Sequence, residues 1–355
     1  MAQQHLDPTE PVAGHVGPLT GEALAGYLRA QATEFLRALR LHREGGTAAA
    51  NGAEAPVDAA RALRRSARRI SGSLHTFRPL LDADWSERMR PELAWVSGML
   101  ASEHACEARL ERLLLALHRL SGATVVPAQT VAPAKVAAAA PAAPVAAPDR
   151  GNLTVGAAKA GALLDRQLTL ARTRAHSTAL QSLGSSRFHA VADNIAVLAS
   201  EVPLVPTAAT ADLRPLARAA EDRLKDAVTA LPLITAGHPY NAEALVHGLS
   251  PDPAPHPQDA PWHQVRLLLR LHRYAHEVLR GDAAEVRLLA AGEALDRHRD
   301  ASEAASAAAQ AARTPRIAPA TAYALGVLHA DQRHEVEAAR FAFQRSWQMA
   351  TVSTS

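Results

Sequence analysis

The sequence predicts an all-α protein built as two helical bundles of similar plan. Three observations predict it. The 355-residue chain is rich in alanine and only 4% aromatic, and its β-branched runs are few, a balance that favours packed helices over sheets. Apolar residues recur at helical spacing along most of its length. Two Arg-rich stretches, Arg61-Ala62-Leu63-Arg64-Arg65-Ser66-Ala67-Arg68-Arg69 and Trp262-His263-Gln264-Val265-Arg266-Leu267-Leu268-Leu269-Arg270-Leu271-His272-Arg273, share one helical spacing, contain no acidic residue and fall in different halves of the chain.

The elements follow in order. A first helix starts after Thr20-Gly21-Glu22 and runs through Leu24, Leu28, Phe35 and Leu39, until Gly45-Gly46-Thr47 breaks it. The second carries the first Arg stretch and ends near Phe77-Arg78-Pro79, because proline disfavours helix at the residue before it. A third runs from about Asp84 to Leu120. The segment 121–153 turns to Ala, Pro and Val with almost no charge and reads as a linker. Helical patterning resumes at about Thr154 to Leu183, Ser186 to Leu198 and Arg214 to Leu231. A Pro-rich stretch through Pro239 and Pro251 to Pro261 precedes the helix of the second Arg stretch, and helices over about 283–312 and 319–350 complete the unit. Residues 1–20 read as a disordered start, 21–120 as a first helical repeat, and the second repeat begins at about 261.

At 100° per residue, His263, Arg266, Arg270 and Arg273 fall within about 80° of arc, with Leu267, Leu268, Leu271 and Val278 on a neighbouring face. Arg61, Arg64, Arg65, Arg68 and Arg69 spread over about 140° and leave Leu63, Ala67 and Ile70 for packing. Like charges three and four apart each cost roughly 0.2 to 0.5 kcal/mol in an isolated helix. A polyanion lying along each stripe would explain the repetition. Solvated faces paired with carboxylates from elsewhere in the fold explain the spacing equally well. Net charge is only +3 and the sequence pI is near 9.3, so the cation is local, and general coating of nucleic acid is not implied.

Other classes lack their residues. There is no Gly-rich loop ending in Lys-Ser or Lys-Thr, no His-Glu-x-x-His, no Gly-x-Ser-x-Gly and no alternating Glu-x-Glu-x-Lys strand. His272 and His276 stand at i and i+4 without an acidic or cysteine companion at ligand spacing, so no metal and no cofactor is expected. Cys106 is the single cysteine, which excludes an intramolecular disulfide and fits a reducing compartment. The start has no basic segment followed by an apolar core, and no run of about 18 apolar residues occurs. The expectation is a soluble cytoplasmic protein without a membrane partner.

Aligning the two stretches matches Arg64 with Arg266 and Arg68 with Arg270, and sets Phe77 beside Tyr274, which suggests an internal duplication. The run Thr76-Phe77-Arg78-Pro79-Leu80-Leu81, followed by Arg90-Pro91-Glu92-Leu93-Ala94-Trp95, resembles the first repeat of CHAD domains, named for conserved histidines on an α-helical scaffold. Trp262-His263-Gln264-Val265-Arg266, Arg270, Arg273-Tyr274 and Glu277, then Leu295 to His298 and Asp300, resemble the second. The resemblance extends over about Gly21 to Trp347.

That resemblance implies two pseudo-symmetric four-helix bundles with a basic groove between them, and non-catalytic binding of inorganic polyphosphate. The implied ligands are Arg61, Arg64, Arg68, Arg69, His263, Arg266, Arg270 and Arg273, with His298, Arg90 and Arg187 as additions. Guanidinium forks pair bidentately with phosphate oxygens, which suits a polymer that presents charge and no base edges. The chain departs from the pattern at Arg61, where the family's first histidine would stand, and at Ala105, since of the acidic pair usual after the third helix, which falls on Ala105 and Glu107, only Glu107 is acidic. A degenerate homologue serving as a protein-interaction scaffold is the alternative. Nucleic acid ranks below both, and a protein partner and location at polyphosphate granules are further expectations.

Overall fold

The computed structural model describes residues 20–48, 55–122, 148–237, 256–281 and 286–348. Apart from Thr20, the segment 1–20 lies outside these, as do most of the Ala/Pro-rich linker and the loop through Pro239 and Pro251. Among the described residues the chain forms helices and turns and no strand beyond an isolated bridge between Leu81 and Leu204. The helices are α1 (Gly21–Ala48), α2 (Ala55–Thr76), α3 (Ala83–Leu120), α4 (Pro148–Leu183), α5 (Ser186–Ser200), α6 (Arg214–Thr229), α7 (Ala260–Arg280), α8 (Val286–Ala312) and α9 (Pro319–Gln348). A single helical turn, Leu233–Ala236, follows α6.

Two boundaries differ from expectation. Helix α1 continues through Gly45-Gly46-Thr47 to Ala48. Helix α4 begins at Pro148, inside the stretch read as linker, because proline is tolerated at the first helical position, where its missing N–H is not needed. The Phe77-Arg78-Pro79 stop is real: α2 ends at Thr76 and a 3-10 turn, Arg78–Leu80, leads to Asp82, whose carboxylate caps α3 by accepting from the Trp85 amide at 2.7 Å.

Apolar side chains gather in three clusters. In the first, Leu28 and Phe35 of α1, Leu63 and Ile70 of α2, Leu93 of the first half of α3, and Phe188 and Ile195 of α5 are all fully buried. The second joins Leu113 in the far half of α3 to Leu164 of α4, Ala304 and Ala308 of α8, and Leu325 of α9. The third holds Leu224 of α6, Trp262, Val265 and Leu269 of α7, Leu295 of α8 and Phe343 of α9. The long helices α3, α8 and α9 each serve two clusters. Each buried Leu, Ile or Phe contributes roughly 1.5–3 kcal/mol.

The first and third clusters meet where α2 crosses α7. Gly72 makes the crossing close: a Cβ there would stand 2.6 Å from the Tyr274 ring. The expected packing face of α7 is shifted. Its buried stripe is Trp262, Val265, Leu269, Ala275 and Val278, whereas Leu267 is 51% exposed and, with Leu271, turns toward α2.

A candidate polyanion site at the α2–α7 crossing

Because α2 and α7 cross at Gly72, their Arg stripes meet along one seam. Between them and α3 lies a recess of about 400 Å³ lined by Arg68, His75, Arg90, Arg270, Leu267 and Tyr274. Arg68 donates from Nε to Ser97 Oγ at 3.0 Å. Burial, and then the neighbouring charges of Arg64 and Arg270, push its pKa down. Arg64 is depressed likewise by burial and then by Arg299 and Arg270, and its buried Nε has no hydrogen-bond partner. Among the described residues no carboxylate lies within ion-pair distance of Arg64 or Arg68. Guanidinium stays protonated at pH 7, so Arg68 carries charge that no neighbouring carboxylate answers, while Asp296 and Asp300 answer that of Arg64 only from beyond ion-pair distance.

The α7 side differs. Asp296 of α8 accepts from Arg266 Nε and, at 3.0 Å, from Arg270 Nη2. Burial first and Arg270 second still push the Arg266 pKa down. The carboxyl of Asp296, raised by burial, is carried below its usual range by Arg266 and Arg270. Arg273 turns toward α8, its Nη1 3.6 Å from where a Cβ on Gly292 would stand. His263 is half-buried, burial lowers its pKa, and its buried Nε2 has no hydrogen-bond partner.

The remaining expected ligands are placed elsewhere. Arg69 is clasped by Glu277, donating from Nε at 2.7 Å and from Nη2 at 3.3 Å, and Glu277 also accepts from the Tyr27 hydroxyl at 2.8 Å. Burial and then Glu277 raise the Tyr27 pKa, so the phenol stays a donor. Arg61 is exposed at the start of the stripe and pairs with Asp58 at 3.4 Å. Arg90 reaches the recess while bonding Glu87 and His75. Arg187 lies outside the recess: it holds Glu92 at 2.7 Å and stacks over Trp95. On α3, Glu92 and Trp95 lie opposite Arg90 and Ser97 at 100° per residue.

His298 is a correction. It is 1% exposed and cannot meet a ligand from solvent. It stacks on Trp262 at 5.6 Å, lies 3.7 Å from Asp259 and is approached by Arg340 Nε at 3.3 Å. Burial, then Arg340, holds its pKa down at about 3, so the ring is neutral. Around it, the fully buried Asp259 accepts from Arg333 at 2.7 and 3.1 Å, from Arg340 at 2.6 Å and from Ser302. Burial disfavours the Asp259 carboxylate, but these partners outweigh it and bring its pKa down to about 2. The network ties the turn before α7 to α8 and α9, which fixes where the Arg266 stripe begins.

Asp296, Arg299 and Asp259 escaped prediction. The first two had a signal in the charged run Asp296-Arg297-His298-Arg299-Asp300 inside an alanine-rich helix. On α8, Asp296, Arg299, Asp300 and Glu303 fall within about 100° of arc while His298 points away from them. Asp259 sits in a polar turn and carries no periodic signal. Among the described residues no group of three or more His, Cys, Asp and Glu is arranged to hold a metal, and no helix is long and apolar enough to cross a membrane.

Comparison with known proteins agrees with this architecture. No curated protein matches the chain. A solved structure described as PptA from Streptomyces chartreusis is 71% identical, with the match covering 94% of this chain and 100% of that one at a TM-score of 0.76. The model of the CHAD domain matches residues 30–309, and the chain therefore belongs to the CHAD domain family.

Proposed function

We propose that this protein binds inorganic polyphosphate, without catalysis, along the seam where α2 crosses α7. The reading rests on Arg64 and Arg68, two partly buried guanidinium groups with like-charged neighbours and no carboxylate at ion-pair distance among the described residues. An arginine in that setting gains more from an arriving phosphate than one already paired, because the charge-assisted hydrogen bond replaces weak solvation and mutual repulsion. Arg266 and Arg270 complete the opposite bank, and Arg90 the floor. Membership of the CHAD family supports phosphate polymer as the anion, as does the paired organisation, with a first repeat over 21–120 and a second from about 261.

The test is a calorimetric titration with polyphosphates of defined length at several salt concentrations. Reversing Arg266 and Arg270 to Glu should weaken binding by about 10- to 100-fold for each arginine, taking roughly 1.5–3 kcal/mol per charged hydrogen bond. Retained affinity in the doubly reversed protein would remove the seam as the site. A second reading, docking of an acidic peptide on an interaction scaffold, is favoured by the exposed Leu267 beside Leu271 and Tyr274 in the same recess. It predicts specific protein capture without polyphosphate binding.

A further inference from the structure

A second recess, of about 780 Å³, opens among α3, α4, α8 and α9 beside the start of α7. Its wall carries Arg109, Arg313, Arg333, His256, His263 and His329 against a single carboxylate, Glu303. It shares no lining residue with the recess at the α2–α7 crossing. Some of this charge is already answered: Glu303 pairs with Arg109 at 2.6 Å, and Asp259, behind the wall, with Arg333 at 2.7 Å. The wall nevertheless keeps more cationic side chains than carboxylates, a setting in which an anion is accommodated.

The two recesses are joined by side chains. His263 lies one turn before Arg266 on the same flank of α7 and lines the second recess. Arg299 acts on both sides: its charge reaches Arg64 and Arg266 at the seam and His263 at the entrance, while its Nε lies 3.8 Å from Glu303 of the second wall.

We infer that the cationic track does not end at the α2–α7 seam but continues past Arg299 and His263 into this second recess, which binds the distal phosphates of a long polyphosphate chain. The inference rests on the reading of the seam as a polyphosphate site. It adds a ligand set, Arg313 and Arg109, and makes affinity depend on chain length, since only a long chain can occupy both recesses at once.

Tripolyphosphate and a long-chain polyphosphate fraction, titrated separately into the full chain and its variants, provide the test. Arg313 is exposed, so Arg313→Glu should keep the wild-type helical circular dichroism. It should weaken the long chain by about tenfold and lower its salt slope by about 1 to 2, leaving tripolyphosphate unchanged. Arg109→Gln should act in the same direction without reversing a charge. If both variants bind the long chain as wild type does, or lose long and short ligands by the same factor, the second recess is not part of the track. If wild type binds neither ligand, the seam reading falls and takes this one with it.

Discussion

Helices α2 and α7 carry the same arginine spacing, and the fold compensates them differently. On α7, Arg266 and Arg270 lean on Asp296, and the helix start is held by Asp259 with Arg333 and Arg340. On α2, among the described residues, Arg68 has only the Ser97 hydroxyl, and Arg64 lacks even that at Nε. Asp296 stands thirty residues after Arg266, and the same step from Arg64 reaches Ala94. The two stripes therefore differ in their supports and not in their arginine spacing. One bank shares a carboxylate with α8, and the other has none at ion-pair distance among the described residues.

The largest expected effect lies on the supported bank. Asp259→Asn leaves Arg333 and Arg340 buried without their shared carboxylate and should cost about 3–5 kcal/mol in denaturant unfolding, with the helical signal as readout. The same network predicts acid sensitivity. His298 has a folded pKa of about 3 against an unfolded value near 6.5, so it stays neutral while the unfolded chain takes up a proton. Its contribution is complete above about pH 6.5 and shrinks as pH falls toward 3, by at most about 1.4 kcal/mol per pH unit. Asp259, depressed to about 2, adds a further loss below about pH 4. Unfolding midpoints measured from pH 7 to 4 should fall, and His298→Gln should flatten that fall. A flat wild-type profile would mean that His298 is already charged in the fold.

Next comes the contrast between adjacent arginines. Arg69 is committed to Glu277, so Arg69→Ala should lower stability, roughly 1–3 kcal/mol for a part-buried pair opened on one side, and leave polyphosphate affinity within about twofold. Arg68→Ala should do the opposite: loss of affinity by about tenfold or more, with a stability unchanged or slightly raised by relief of repulsion among Arg64, Arg68 and Arg270. Equal affinity losses for the two variants would erase the distinction between paired and unpaired arginines on α2.

The smallest effect is a gain. On the proposed reading Asp296 competes with phosphate for Arg266 and Arg270, and it is half exposed. Asp296→Asn should therefore tighten polyphosphate binding by a few-fold, about 1 kcal/mol or less, since partly solvated ion pairs are worth that much. Weaker binding in Asp296→Asn would recast Asp296 as the residue that aims the two arginines.

Much of this fold was legible because its signals are local. The 3.6-residue period, the Phe77-Arg78-Pro79 stop and the alanine excess each act within a few turns, and apart from the end of α1 and the start of α4 the helices appear where those features put them. The division into three clusters was not legible. It depends on which half of α3, α8 or α9 meets which neighbour, and the spacing within a helix is the same in both halves. At the site, the spacing identified stripes but not partners. Arg68 and Arg69 are neighbours in sequence, 100° apart on the helix, and only the position of Glu277, more than two hundred residues away, separates a ligand candidate from a structural ion pair. His298 was misplaced for the same reason: its motif position resembles that of a ligand, while the opposite flank of α8 carries the solvent-facing charge.

The most direct measurement is a salt-dependent titration of long-chain polyphosphate into the wild-type chain and into Arg64→Glu/Arg68→Glu. Wild type should lose affinity steeply and linearly in log salt, and the double reversal should lower that slope by about 2 or more while abolishing tight binding. A doubly reversed protein that binds with the wild-type affinity and slope would contradict the α2 bank as the place where the polymer is held.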